Sequence, residues 1–400
     1  MNILVIHEVD WVKKVTFEIH HLSELFSLKG HNVYAIDVPD PGKISINNNF
    51  NENIKNFHRV YDNSSVNLFR TPVIPIKGLS RISAYFTSYS FIKKILKDYA
   101  IDVVLLYSIV TNAKATIKAC KEFDVPIINR TFDVIHDLID EKYLKNIVLK
   151  FEKSVYPEFD EVIANTPFMK KWSEEMNAKN VVIIPQGVDA KIMKPIPKDL
   201  ELQKSLKILD DDRIVMYLGS IHSISGLPKI LNFIPSIIKK IPNFKLLIVG
   251  GGAHLENLKN ISKKLKIDDF IIFTDYVPYL EIPRYCSLAE FCINPFEITE
   301  MTKKLSPVKI FDLLACGKPI LATPLDGLLH DFPKESDILI YSDLDDFESQ
   351  IISLLNNDNL ENIGSKGRKF VEENYTWENV TNLFLNNFKS FLKHDNSKLK

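Results

Sequence analysis

No stretch of this sequence runs to about 18 uninterrupted apolar residues, the length a helix needs to cross a bilayer. Its start, MNILVIHEVDW, also lacks the basic region and long apolar run of a signal peptide and reads instead as a first strand. Cysteine is scarce: Cys120, Cys286, Cys292 and Cys316 are scattered without a C-x-x-C pair or a metal-ligand spacing. That is how a reduced, cytoplasmic protein looks, and disulfides are not expected. Net charge is nearly absent, at −1, so no global field draws nucleic acid. Glycine is missing where a dinucleotide-binding turn needs it. The first strand runs into His7 and Glu8, and Gly250–Gly252 do not fit G-x-G-x-x-G, which disfavours an NAD-dependent dehydrogenase. None of these absences excludes a peripheral contact at the inner face of a cell membrane.

What is present is βαβ rhythm. Four hundred residues favour two domains, at roughly 150 residues each. Short apolar runs at Asn2–Ile6, Asn32–Asp37, Asp102–Tyr107, Pro126–Asn129, Glu161–Ala164 and Val181–Ile184 alternate with helical or loop segments, the pattern of a parallel sheet covered on both faces. Pro185–Gln186–Gly187, then Pro195 and Pro197, interrupt it as a linker. The rhythm restarts with strands at Arg213–Gly219, Phe244–Gly250, Phe270–Phe273, Glu290–Ile293 and Pro319–Ala322. The expected division is a first Rossmann-like domain over 1–190, a second over 191–375, and an amphipathic helix within 376–400, carrying Trp377, Val380, Leu383, Phe384, Phe388 and Phe391, that returns to pack on the first. The Asn-rich segment 40–65 reads as a long loop.

The most informative stretch is Ser306–Thr323, SPVKIFDLLACGKPILAT. Ser306 is expected to cap a helix whose first position is Pro307, and that helix start suits an anion such as a phosphate. Lys309 and Asp312, three apart, share a polar face, with Asp312 roughly 8 Å along the axis from the helix start. That is about the span from a pyrophosphate to the ribose hydroxyls of one nucleotide. Chemistry alone leaves two readings open: a nucleotide site, or a solvated face with a simple cap.

The segments IIPQGVDAKIMKP, YLGSIHSISG, KLLIVGGGAHLENL, DYVPYLEIPRYCSLAEFCINPF and SPVKIFDLLACGKPILAT stand in the order and at the spacing of the family-4 retaining glycosyltransferases. The chain resembles that family over nearly all of 181–330, its donor half. The resemblance implies the GT-B architecture, two Rossmann-like doubly wound domains facing each other across a cleft. It also implies donor binding by Gly219, by the backbone around Val277, by the Ser306–Pro307 helix start and by Asp312 on the ribose. Three departures stand out. Asp312 replaces a more common Glu, Lys304 stands where a partner acid is common, and Ser220 and Ser225 replace the Arg and Lys that often clamp the phosphates. Lys303, Lys304 and Lys309 are expected to supply that charge, as a departing diphosphate requires. The alternative for this stretch is a solvated basic loop.

In the first half, HEVDWVKKVTFEIHHLSELFSLKGHNVYAID resembles the first strand, acceptor-side loop and first helix of related enzymes. The loop offers His7, Asp10 and Trp11, with Trp11 either stacking on a sugar ring or serving as a packing anchor. Arg130, Asp133, His136 and Asp137 follow a strand and so lie at the carboxyl edge of the first sheet, where open α/β sheets place their ligands. Asp133 and His136 are the candidates to take the acceptor proton or orient the donor sugar; helix capping by Asp133 and an exposed His136 are the bland alternative. The acidic clusters Asp210–Asp212 and Asp343, Asp345 and Asp346 read as structural, so no metal site is expected.

The resemblance thus implies a retaining hexosyltransferase that needs no metal or organic cofactor. Its substrates would be a nucleoside-diphosphate sugar and a glycan or lipid-linked acceptor, in polysaccharide biosynthesis. A non-catalytic partner subunit, or a sugar-nucleotide epimerase or phosphorylase of the same architecture, are the alternatives.

Overall fold

The computed structural model describes residues 1–14, 16–39, 53–74, 76, 79–107, 109–139 and 141–398. It divides into two compact units, Met1–Gln186 with Trp377–Lys400, and Gly187–Thr376.

The first unit holds β1 (Asn2–Ile6), β2 (Asn32–Asp37), β3 (Ile54–Phe57), β4 (Val66–Arg70), β5 (Val103–Leu106), β6 (Ile127–Thr131), β7 (Glu161–Ala164) and β8 (Val181–Ile183). They form one sheet in the order β3-β4-β2-β1-β5-β6-β7-β8. All neighbours pair parallel except β3 with β4. Side chains of a strand alternate between faces, and here both faces are covered. Leu4, Ile6, Val104 and Leu106 pack with Ile92, Ile117 and Trp172. Ile3, Val5, Val103 and Leu105 pack with Leu22 and Phe26 of the helix Glu18–Leu28 and with Trp377, Val380, Phe384 and Phe388 of the last helix, Trp377–Lys398. His21 stacks on Trp377, ring centroids 4.9 Å apart.

The second unit holds β9 (Arg213–Leu218), β10 (Phe244–Val249), β11 (Ile271–Phe273), β12 (Phe291–Asn294), β13 (Ile320–Ala322) and β14 (Ile340–Tyr341), an all-parallel sheet in the order β11-β10-β9-β12-β13-β14. Both units are therefore Rossmann-like. In each, the chain builds outward on one side of the first strand and then crosses to the other, which puts the switch points between β1 and β5 and between β9 and β12.

Two expectations change. Of the segment 40–65, residues 40–52 lie outside the described residues, but Ile54–Phe57 is a strand. Its IKNF sequence turns Ile54 and Phe57 half inward at a sheet edge and leaves Lys55 and Asn56 in solvent. The helix expected from Pro307 begins at Lys309. Its entry is a tighter turn, in which Ile310 N–H donates to the Pro307 carbonyl at 3.0 Å and Phe311 N–H to that of Val308 at 3.0 Å.

Candidate functional site

At the switch point of the second sheet the chain leaves β9 through Gly219, whose φ of +130° is a conformation L side chains rarely adopt. A Cβ there would stand 3.1 Å from Cδ of Lys309 and 3.4 Å from its Nζ. The Lys309 side chain thus lies over the carboxyl end of β9. Its Nζ is buried and has no hydrogen-bond partner among the described residues. It sits 4.0 Å from the centroid of the Tyr217 ring and 4.6 Å from that of Phe296. Burial lowers its pKa from the lysine value to about 7. Asn294, the last residue of β12, is fully buried with both side-chain polar atoms unpaired among the described residues, and the Ser225 hydroxyl is buried and unpaired among them as well. Buried polar groups are as a rule satisfied, so three orphans at one sheet edge mark a place for a polar ligand or water.

One turn along, Asp312 is 7% exposed and accepts from the Tyr279 hydroxyl at 3.0 Å. Burial is the main cause of a pKa raised to about 7, with the charge of Asp189 adding to it and the Tyr279 bond opposing it. Lys309 and Asp312 are therefore not a solvated helix face. That alternative fails because Ile310 to Ala315 are all buried. Tyr279 follows the loop of Tyr276, Val277 and Pro278, which crosses the carboxyl edge of β10 and β11; Val277 is half-buried against the core and Tyr276 exposed. The Gly250 amide donates to the Asp275 carbonyl at 3.0 Å and fixes that loop to the end of β10.

Ser306 does not cap the helix. Its hydroxyl bonds the buried Asp331 carboxylate at 2.5 Å, and the helix position before Lys309 is Val308. Pro307 lies in the irregular entry, and the helix has only seven residues, so the macrodipole invoked for a phosphate is small. Lys303 pairs with Glu300 at 2.7 Å, and Lys304 is half-buried next to it. Ser220 is exposed and its carbonyl accepts from the Tyr217 hydroxyl at 2.9 Å.

In the first unit, His7 follows β1 and stacks on Tyr107, which follows β5, with centroids 5.6 Å apart and planes 15° from parallel. Its Nδ1 is buried without a hydrogen-bond partner among the described residues, and burial lowers its pKa to about 3. Asp10 accepts from the amides of Val12 and Lys13 at 3.1 and 3.0 Å and pairs with Arg70 at 2.9 Å, so it holds the loop together. Trp11 is 1% exposed: its amide donates to Asp37 at 3.0 Å and its ring meets His20 edge-on. Of the two readings for Trp11, the packing anchor is the one observed, because the turn at Asp10 folds the indole into the core. Arg130, grouped by sequence with Asp133 and His136, is fully buried. It forms a two-pronged pair with Glu18, at 2.8 and 2.9 Å, and donates to the Ile184 carbonyl at 2.6 Å.

His136 lies on a short turn, Ile135–Leu138, at the carboxyl edge after β6. Its Nδ1 is 2.5 Å from Glu152 Oε2, and its side chain is 12% exposed. Asp133 is exposed, and among the described residues no group hydrogen-bonds its carboxylate; it caps no helix, since Val134 precedes the turn. Sequence reasoning missed Tyr217, Tyr279, Asn294 and Glu152. Of these, only Tyr217, two residues before a glycine at a strand end, carried a local signal.

Two family models cover most of the chain: Glycosyltransferase Family 4 over residues 19–192 and Glycosyl transferases group 1 over 212–357. Alpha-monoglucosyldiacylglycerol synthase of Streptococcus pneumoniae is 22% identical over 64% of this chain and 59% of its own. The GDP-mannose-dependent alpha-(1-6)-phosphatidylinositol monomannoside mannosyltransferase of Mycolicibacterium smegmatis is 24% identical over 48% of this chain and 52% of its own. The match thus spans only about half to three fifths of these relatives. The crystal structure of Anabaena HepE in complex with UDP aligns at a TM-score of 0.73 and 11% identity, covering 98% of this chain and 100% of that one. With the two models matched in succession, one on each Rossmann-like unit, the chain belongs to the GT-B-fold glycosyltransferases that carry a Family 4 domain ahead of a group 1 domain.

Proposed function

We propose that the protein transfers a hexose or hexose derivative, with retention, from a nucleoside-diphosphate sugar to a glycan or lipid-linked acceptor. The observation that carries this is the buried Lys309 amine over the Tyr217 ring, without a hydrogen-bond partner among the described residues, beside Gly219 at the switch point. A diphosphate there would give Lys309 the acceptor it lacks and would draw it to the charged form. Asp312 would hold ribose hydroxyls, the Val277 backbone the base, and Lys303 and Lys304 the outer phosphate charge. On this reading the protein itself stabilises the departing diphosphate, and neither a metal nor an organic cofactor is needed. In the first unit His136 and Asp133 would meet the sugars, and His7 and Asp10 would shape the acceptor loop.

A lipid-linked acceptor is favoured by the surface of the first unit. Ile74, Leu79, Ile82 and Phe86 line an apolar groove of about 450 Å³. Tyr143, Leu144 and Ile147 are exposed on a helix that also exposes Lys150 and Lys153. Among the described residues no helix is long and apolar enough to cross a membrane. Such a surface suits a peripheral contact with anionic lipid at the cytoplasmic face. Two of the similar proteins carry lipids in their names, and the nucleotides named or bound, GDP and UDP, differ.

The test is a thermal-shift screen with UDP, GDP and their nucleosides, followed by incubation with UDP-glucose, UDP-N-acetylglucosamine and GDP-mannose and assay of nucleoside diphosphate release. Selective stabilisation by one diphosphate is expected through linkage. If no diphosphate raises the melting temperature, the donor site as described is wrong. Binding without turnover would favour the non-catalytic subunit that Ser220 and Ser225 keep in view.

A further inference from the structure

We propose that Glu152 is a positioning residue for His136: it fixes the proton on Nδ1, so that Nε2 presents a lone pair to a substrate hydroxyl. This rests on the reading above that His136 meets the sugars. Glu152 lies 16 positions beyond His136 in sequence, on the helix Lys142–Val155. Its side chain is fully buried. A carboxylate in that position needs donors, and it has two. Oε1 accepts from the Ile135 amide at 3.0 Å, and Oε2 lies 2.5 Å from His136 Nδ1. Burial raises the Glu152 pKa, and the contacts with His136 and Ile135 oppose that rise.

The consequence follows from valence. An ionised carboxylate only accepts, so Nδ1 must donate, and a neutral imidazole with Nδ1–H has its lone pair on Nε2. Among the described residues that nitrogen makes no hydrogen bond. The Asp137 Oδ1 atom is 3.7 Å away, outside hydrogen-bond reach, and Lys145 holds it at 2.6 Å. The ring lies against Trp172, with centroids 6.4 Å apart, and the turn that carries it stands at the carboxyl edge of the sheet. Glu152 thus does two things at once: it pins the turn by the Ile135 amide and orients the ring by Nδ1.

Glu152→Gln separates the two. The amide oxygen can still accept from Ile135 N–H, but the NH₂ group then faces Nδ1. The imidazole must move its proton to Nε2, which becomes a donor, while the turn stays in place. Long-range proton–nitrogen correlation on ring-labelled histidine, at about pH 8.5 and with His136→Gln for assignment, reads this directly. The Nδ1–H form is expected in the parent and the Nε2–H form in Glu152→Gln. An Nε2–H form in the parent overturns the proposal, whether or not the variant folds.

Turnover of the nucleotide sugar selected from UDP-glucose, UDP-N-acetylglucosamine and GDP-mannose gives the second readout. Glu152→Gln should lower kcat by about ten-fold or more with KM and melting temperature near the parent's, and add no further loss in a His136→Gln background. The same loss appearing again in that background would make Glu152 a purely structural residue. If the parent turns over none of these sugars, the transferase reading is what fails, and the tautomer result still decides the role of Glu152.

Discussion

Lys309 Nζ lies 4.0 Å from the centre of the Tyr217 ring, buried, with no hydrogen-bond acceptor in reach among the described residues. The ring offsets part of the desolvation cost of the ammonium, yet burial still brings its pKa down to about 7. A diphosphate bound here should therefore take up a proton above neutral pH. Titration calorimetry of UDP or GDP at about pH 8, in buffers of different ionisation enthalpy, should show that uptake. Lys309→Met should abolish it and weaken the diphosphate by about 1.5–3 kcal/mol. Unchanged affinity in the variant would take Lys309 out of the site.

Asp312 runs the other way. Its folded pKa, raised to about 7, means the folded state holds a proton that the unfolded state has released between the ordinary carboxylate range and neutrality. Stability then falls as pH rises through that window. Asp312→Asn lacks this term, so between about pH 5 and pH 8 the parent should lose about 2–3 kcal/mol more than the variant in urea unfolding. Parallel stability curves would mean the carboxylate ionises as an exposed one does. Donor affinity should fall in the same variant by about 1.5–3 kcal/mol, whereas a 2′,3′-dideoxy nucleoside diphosphate should bind parent and variant alike.

Lys303 is already paired with Glu300, both in contact with solvent, and such pairs hold little energy. The two partners can part at small cost when a phosphate arrives. Lys303→Ala combined with Lys304→Ala should weaken a nucleoside diphosphate by about 1–3 kcal/mol and leave the nucleoside unaffected. Equal diphosphate affinities at low salt would assign both lysines to solvent.

Trp11, folded into the core at 1% exposure, should behave as a packing residue. Trp11→Ala is expected to cost about 3–5 kcal/mol of stability, visible in the urea midpoint. A variant of parental stability whose only defect is a higher acceptor KM would return Trp11 to the surface role that its position in a loop suggests.

The parallel sheets were legible because their strands are short continuous apolar runs, as in LLIV of β10 and VVLL of β5. Strands β3 and β4 were not, since Ile54–Phe57 shows only two apolar residues at an edge and Val66–Arg70 has Asn67 and Arg70 among its five residues. Lys309 and Asp312 stood out through the segment that holds them, but their burial did not. A Lys and an Asp three apart look the same on a wet helix, and what desolvates them, Tyr217, Phe296 and Tyr279, is spread over more than sixty residues of chain. Glu152 was invisible for a similar reason: its partner, His136, lies on a different element. The Ser306–Pro307 pair shows the reverse failure, a strong local capping signal outweighed by the hydroxyl's bond to Asp331.

The last helix has a consequence for synthesis. Phe384 and Phe388 pack on Phe26, 6.3 and 5.8 Å between centroids, in the same cluster as Ile3 and Val5. The part of that face of the first sheet which the helix Glu18–Leu28 leaves uncovered is therefore open until residues beyond Thr376 have left the ribosome. The unit Gly187–Thr376 is one uninterrupted stretch, closed on itself by the Val188 amide on the Tyr375 carbonyl at 2.8 Å, and needs nothing made later. The unit that enters synthesis before the other is the one that finishes folding after it, and until the last helix is made it exposes an apolar surface that Gly187–Thr376 never has to.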